Sequence, residues 1–332
     1  MIKLTDRQKK ILKAVEYRAA ESLSVISEEI QIREHIVRYE LQSMIKNGVI
    51  SKQSAYINPF SIGLNNYTLY GSFDGYTAEQ RDKFIKTITK HPQVSCVFLL
   101  GGNYDYSFTI LAKSAQEAEE ILRSISDKSE AGYVKRTISQ QSKIVYFGMK
   151  HLSDQVKTKT YLKSFYRENL VKIDQLDSRI LDLLSTEGLM PFQQIDRKLK
   201  IASGKSRRRI LQLMEKEVIS GLYHAVNHSA LKYNKYKLLI SAKHESPKLV
   251  EQLFEYCQKH PNIYKYIESL STWSFELGIE VVSPEEFLPL LSEIQDKFRD
   301  YVLETTLLQI FTLLKYTPYI HSEKMLLYQK AA

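Results

Sequence analysis

Over the first fifty positions, apolar residues recur at helical spacing. In "TDRQKKILKAVEYRA", Ile11, Leu12 and Val15 stand at i, i+1 and i+4, one buried helix face, with Thr5 as the N-cap. A shorter helix is predicted over "SVISEEI". A third, over "EHIVRYELQSMIKN", ends at Gly48, a residue that tolerates positive φ. Three short helices with a tight turn before the third predict a helix-turn-helix. From about residue 64 the period becomes two. "NNYTLYGSFDG", "VSCVFLL", "YDYSFTILA" and "YVKRTISQQSKIVYF" read as strands, and "AEQRDKFIKTITKH" and "SAQEAEEILRSISDK" as helices. The order βαββαβ is the ferredoxin-like arrangement.

The pattern is written twice. Shifted by 169 residues, the halves align without a gap: Ile11-Leu12 falls on Ile180-Leu181, Ile26 on Ile195, Val49-Ile50 on Val218-Ile219, and His91-Pro92 on His260-Pro261. The expected fold is therefore α+β, with two tandem copies of a winged helix-turn-helix plus a ferredoxin-like βαββαβ module. The boundaries read from the pattern are 1–56 for the first winged helix-turn-helix, 57–148 for the first module and 149–169 for a basic connector. The second copy follows, with 170–225 for its winged helix-turn-helix and 226–332 for its module.

Composition narrows the class. The chain has 332 residues, 43% hydrophobic and 26% charged, the balance of a globular protein with several domains. The net charge of +9 favours a polyanionic partner. Cys96 and Cys257, the two cysteines, sit in apolar company without metal-ligand spacing, so neither a disulfide framework nor a structural metal is expected. No apolar run reaches membrane length and the N-terminus lacks a signal-peptide core, so no membrane partner and a cytoplasmic location are expected.

With these residues in place, the chain resembles the Lrp/AsnC family of prokaryotic transcription regulators. The resemblance rests on "LTDRQKKIL…NGVISKQSAYIN…LG" and "HPQVSCVFLLGGNYDYSFTILAKS". The second copy's "CQKHPNIYKYIESLSTWSFELGIEVVSPEEF…IQDKF" is similar to the double-length members found in archaea. The resemblance implies a winged helix-turn-helix on double-stranded DNA, a module that pairs through its sheet, and a small effector such as an amino acid. No cofactor is implied. The paired modules imply either an intrachain pseudo-dimer or a homodimer.

The third helix of the second copy, "SGKSRRRILQLMEK", carries the densest cations. With Ile210 at the centre of the buried face, Lys205, Arg208, Arg209, Gln212 and Lys216 gather opposite, on an arc with no acid, and Arg207 lies nearer the core edge as a backbone contact. This helix enters the major groove in the motif, and Arg, Lys and Gln can read base edges or phosphates. The plain alternative is a solvated basic face. In the first copy the matching arc holds Ile36, Tyr39, Glu40, Ser43 and Asn47. Glu40 stands where the family pattern commonly has Arg, which leaves Arg38, Tyr39 and Asn47 as DNA contacts, or a copy that serves structure or protein binding. Glu217 replaces the Gly48 of the first copy, so a differently built turn into the second wing is expected.

Gly102, Asn103, Tyr104 and Asp105 match the family's Gly-x-Tyr-Asp turn near the effector pocket, where Asp105 could hold an amino group. The alternative is a tight hairpin. In the second copy Ser271 and Ser274 replace Gly and Asp, and Trp273 reads as a core or interface aromatic. Two other classes stay open: a haem-pathway decarboxylase-like enzyme of related fold, and an interaction or effector-sensing protein that binds no DNA. His91 and His260 read as helix caps, and no nucleophile–base pair stands out, so an enzyme is not expected.

Overall fold

The computed structural model describes residues 2–130, 136–156 and 161–319. It opens with α1 (Asp6–Val15), α2 (Leu23–Ile30) and α3 (Glu34–Lys46), followed by the wing strand β1 (Ile50–Ile57). Thr5 caps α1 in a reciprocal capping box with Gln8. Next come β2 (Asn65–Gly71), α4 (Ala78–Lys90), β3 (Val94–Gly102), β4 (Tyr106–Ala112), α5 (Ala115–Ser129) and β5 (Arg136–Tyr146). A short strand β6 (Leu162–Phe165) precedes α6 (Gln175–Thr186), α7 (Phe192–Leu199), α8 (Lys205–Glu215), β7 (Ile219–Val226) and the one-turn α9 (His228–Leu231). The chain continues through β8 (Asn234–Ala242), α10 (Pro247–Lys259), β9 (Ile263–Leu270), β10 (Phe275–Val281), α11 (Phe287–Lys297) and β11 (Val302–Tyr316).

Elements recur at the 169-residue offset, and so does their pairing. Gln140 of β5 lies opposite Leu270 of β9, and the shifted pair Gln309 and Gly101 joins β11 to β3. At the wings, Ser54 of β1 faces Tyr223 of β7, its own equivalent, which puts a local two-fold axis between them. The large sheet runs β2-β4-β3-β11-β8-β10-β9-β5-β6, and the additional pairing β2–β5 closes every strand but β6 into a ring. Closure removes the free edges that an open sheet would leave for stray pairing.

Alternation in each strand assigns its faces. Tyr67 and Leu69 of β2 and Phe108 and Ile110 of β4 point outward onto Phe84 and Ile88 of α4 and Ile121 and Ile125 of α5. Tyr236, Leu238 and Ile240 of β8 pack in the same way on the side of α10 and α11, with Leu253 and Ile294. The intervening residues face into the ring. There Tyr70, Trp273, Leu100, Leu239 and Leu308 form a plug.

The two helical units interlock through their wings. Ala55 and Ile57 of β1 belong to the core of α6–α8, while Leu231, with the partly buried Val226, joins the core of α1–α3. The first part of the expected connector, residues 149–156, is packed. Met149, Leu152 and Val156 enter the first helical core, and the Lys13 ammonium donates to the carbonyls of Lys150 (2.9 Å) and Ser153 (2.5 Å). The turn after α8 also departs from expectation. Glu217 takes the left-handed conformation of Gly48, φ 54° against 73°, so the same turn is built with a residue that tolerates it less well, and Glu217 pairs with Arg167.

Candidate functional site

Helix α8 starts at Gly204, which has no side-chain cap. The Asp196 carboxylate of α7 supplies one, accepting the N–H groups of Gly204 (2.8 Å) and Ser206 (2.9 Å). Hydrogen bonds from the Ser206 hydroxyl and backbone hold its carboxyl below the usual range. Buried Ser206, Ile210 and Leu213 fix the inward face. Arg207, Arg208, Gln212 and Lys216 are exposed and Lys205 is half-buried.

Two placements differ from the helical reading. Arg209 turns back onto α6, where it pairs with Asp174 (2.8 Å) and Asp177 (3.3 Å), whereas Arg207 stands free in solvent. The buried face takes in Ser206 and Leu213 as well as Ile210, which rotates its centre by about a third of a residue. The exposed face also contains Leu211 and the acid Glu215. In the first copy, Glu40 makes the matching bridge with charges reversed. It accepts from Gln8 Nε2 (3.0 Å) and lies 3.8 Å from Arg7. Glu40 therefore faces α1, while Arg38, Tyr39, Lys46 and Asn47 are exposed and Arg38 pairs with Glu34.

The Gly-Gly-Asn-Tyr-Asp turn is occupied by the protein itself. A side chain at Gly102, φ 120°, would meet the Leu307 carbonyl at 2.7 Å, so this glycine admits the backbone of β11. Asp105 accepts the Phe73 N–H (2.7 Å), and the Tyr104 hydroxyl bonds Thr137 (2.8 Å). Asn103 is exposed. The geometry is that of a hairpin with its carboxylate engaged by backbone.

A cavity of about 530 Å³ lies where the ring meets the paired wings. Its walls bring together residues that the sequence reading passed over, among them Lys235, Lys237, Lys265, Tyr146, Tyr264 and His228. Cys96 opens onto it, whereas Cys257 is buried among α10 and its sheet. The signal was present in the alternation of Lys235, Lys237, Glu276 and Glu280 with apolar residues. On an open sheet that alternation denotes a solvated face.

Inside the ring, Glu276 accepts from Tyr70 (2.7 Å), Ser139 (3.1 Å) and the Trp273 ring nitrogen (3.1 Å). The Lys237 ammonium donates to the Tyr70 hydroxyl (3.2 Å). Glu280 bonds His228 (2.5 Å) and lies 3.9 Å from Lys235. Burial raises the Glu280 carboxyl, but His228 and Lys235 outweigh it and bring it down to about 2. Burial pushes the Glu16 carboxyl at the cavity edge up to about 7, against the Met149 N–H that it accepts. Burial also lowers all three lysines, Lys265 to about 8. Both His224 ring nitrogens are engaged, by the Val15 carbonyl (2.9 Å) and Gln53 (3.0 Å). Among the described residues no group of three His, Cys, Asp or Glu side chains is arranged to hold a metal, and no helix is long and apolar enough to cross a membrane.

Residues 72–144 match the Lrp/AsnC ligand binding domain. An uncharacterised HTH-type transcriptional regulator of Pyrococcus horikoshii is 27% identical over 121 residues, 36% of this chain and 75% of the relative. The HTH-type transcriptional regulator LrpA of the same organism is 34% identical over 87 residues, 26% of this chain and 58% of the relative. These likenesses support a regulator of the Lrp/AsnC kind. Among solved structures, the siroheme decarboxylase NirDL superposes with a TM-score of 0.63 at 13% identity, covering 98% of both chains. At that identity the likeness is one of fold, and it extends over the whole length.

Proposed function

We propose that this chain is a DNA-binding transcription regulator of the Lrp/AsnC kind, in which the second helix-turn-helix supplies most of the DNA contact. The observation that carries this reading is the first turn of α8. Lys205, Arg207 and Arg208 crowd a helix N-terminus, where the macrodipole disfavours each cation by about 0.3–1 kcal/mol. The Asp196 carboxylate caps that terminus through its backbone N–H groups and offsets part of the cost, but among the described residues none of the three cations forms an ion pair. Phosphates would offset it, and the guanidinium groups are free to pair with guanine edges. Gln212 and Lys216 extend the same surface. Arg209 and Glu40 act as struts between helices in this account, and Arg38 and Tyr39 form a weaker second contact.

The paired modules act as one rigid body within a single chain, and a small-molecule effector acts through that body. Sequencing genomic DNA retained by the purified protein tests the reading. Enrichment of promoter regions at near-physiological salt is expected, and retention no better than random fragments contradicts it.

A second reading draws on the cavity. A tetrapyrrole enzyme would use that space, and the full-length likeness in fold to a siroheme decarboxylase is consistent with it. His224, whose two ring nitrogens are both engaged, is a poor proton donor for such chemistry. A tetrapyrrole absorption band in the purified protein, with loss of carboxylate on incubation, would favour this reading over regulation.

A further inference from the structure

The two copies contribute unlike chemistry to the inner face of the ring. From the first copy, Asn66, Thr68, Cys96 and Thr109 present neutral, small groups. Their equivalents 169 residues on are Lys235, Lys237, Lys265 and Gly278. Gly278 lies directly between Lys237 and Lys265 across three neighbouring strands. Any side chain at Gly278 would collide with the Lys265 stem at 2.8 Å, so the glycine leaves room for the two lysines to share one wall.

The charges on this wall do not cancel. Three ammonium groups, Lys235, Lys237 and Lys265, stand against two carboxylates, Glu276 and Glu280. Lys235 is answered by Glu280 at 3.9 Å, and Lys237 reaches Glu276 through the Tyr70 hydroxyl. Glu16, the acid at the cavity edge, interacts with Lys235 and Glu280. Lys265 is left over. Its ammonium sits over the Tyr146 ring, 4.7 Å from the centroid, and among the described residues no ion pair or hydrogen bond reaches it, Glu276 attracting it only from a distance. A half-buried cation on a cavity wall, without an ion-pair partner from the protein, is placed to pair with an anion that enters the cavity. Tyr146 and Tyr264 beside it offer flat apolar surface, and the volume is that of a small-molecule site.

We propose that the cavity binds an aromatic organic anion, whose acidic group is held by the Lys265 ammonium and whose flat body lies against Tyr146 and Tyr264. The inference concerns binding alone and is measured without DNA, so it stands or falls separately from the regulatory reading. The probes are 1-anilinonaphthalene-8-sulfonate and its neutral counterpart N-phenyl-1-naphthylamine, which differ in the sulfonate. Fluorescence titration of the full chain should show one saturable site that prefers the anion by about tenfold or more, the range of a charge-assisted hydrogen bond. Lys265→Met keeps the stem's packing on Tyr146 and should abolish that preference while changing the neutral probe's affinity less than about twofold. Lys265→Arg should retain the preference. Melting curves establish that each variant is folded. Equal affinity of the wild type for the two probes overturns the proposal without recourse to any variant. So does an anion preference that survives Lys265→Met, or binding of the anion without saturation.

Discussion

Arg209 and Glu40 occupy equivalent positions and do the same job with opposite charge. Arg209→Ala leaves Asp174 and the nearly buried Asp177 without their guanidinium, so a loss of about 1 kcal/mol is expected, visible as a lower melting temperature. The same substitution should change DNA affinity less than Arg207→Ala, because Arg209 points at α6. Glu16 supplies a pH effect of definite sign. Its carboxyl is raised by burial from 4.5 to about 7, so the folded state holds a proton that the unfolded state releases first. Below pH 4.5 both states are protonated and nothing is lost. Between about 4.5 and 7 stability falls as pH rises, by an upper limit of about 3 kcal/mol. Met149, Tyr17, Lys235 and Glu280 surround the group and stay in place in Glu16→Gln. Melting temperatures of the variant and the wild type should therefore diverge in favour of the variant between pH 5 and 8. Parallel curves would show that Glu16 ionises freely.

Strands and helices fall on the stretches where period two and period 3.6 place them. The βαββαβ order, the caps at Thr5 and His91, and the buried face of α1 could be read from spacing alone, and that of α8 to within a partial rotation. The orientation of single side chains at helix edges was less legible: Arg207 and Arg209 lie on opposite flanks of one face, and neighbouring carboxylates decide which is free. Least legible was the inner face of the ring, because Lys235, Lys237, Glu276 and Glu280 look solvated until β5 meets β2 and β9. That face also favours pairing between unlike copies. Glu276 takes two of its donors, Tyr70 and Ser139, from the first copy. If two second copies paired, those places would be filled by Leu239 and Leu308, and a buried carboxylate would lack partners. Tyr70→Phe should cost about 1–3 kcal/mol and alter emission from Trp273, which bonds the same carboxylate. An unchanged melting temperature would show that Glu276 does not depend on the first copy.

At the scale of the molecule, two helical units meet through paired strands beside a closed ring, one with first-turn cations that form no ion pair among the described residues and one whose Arg38 and Glu40 are paired. Each cation that meets a phosphate contributes about 0.9 to the slope of log affinity against log salt. A cation that reads a base costs about 1–3 kcal/mol on the specific site when removed. The most direct measurement is a gel-shift titration on one retained promoter fragment at two salt concentrations. It compares the wild type with Arg207→Ala plus Arg208→Ala and with Tyr39→Ala plus Asn47→Ala. At near-physiological salt, the arginine pair should weaken binding by about tenfold or more and flatten the salt dependence, and the first-copy pair should cost less. Equal or greater loss from the first-copy pair, or no loss from the arginine pair, would contradict the assignment of DNA contact to α8.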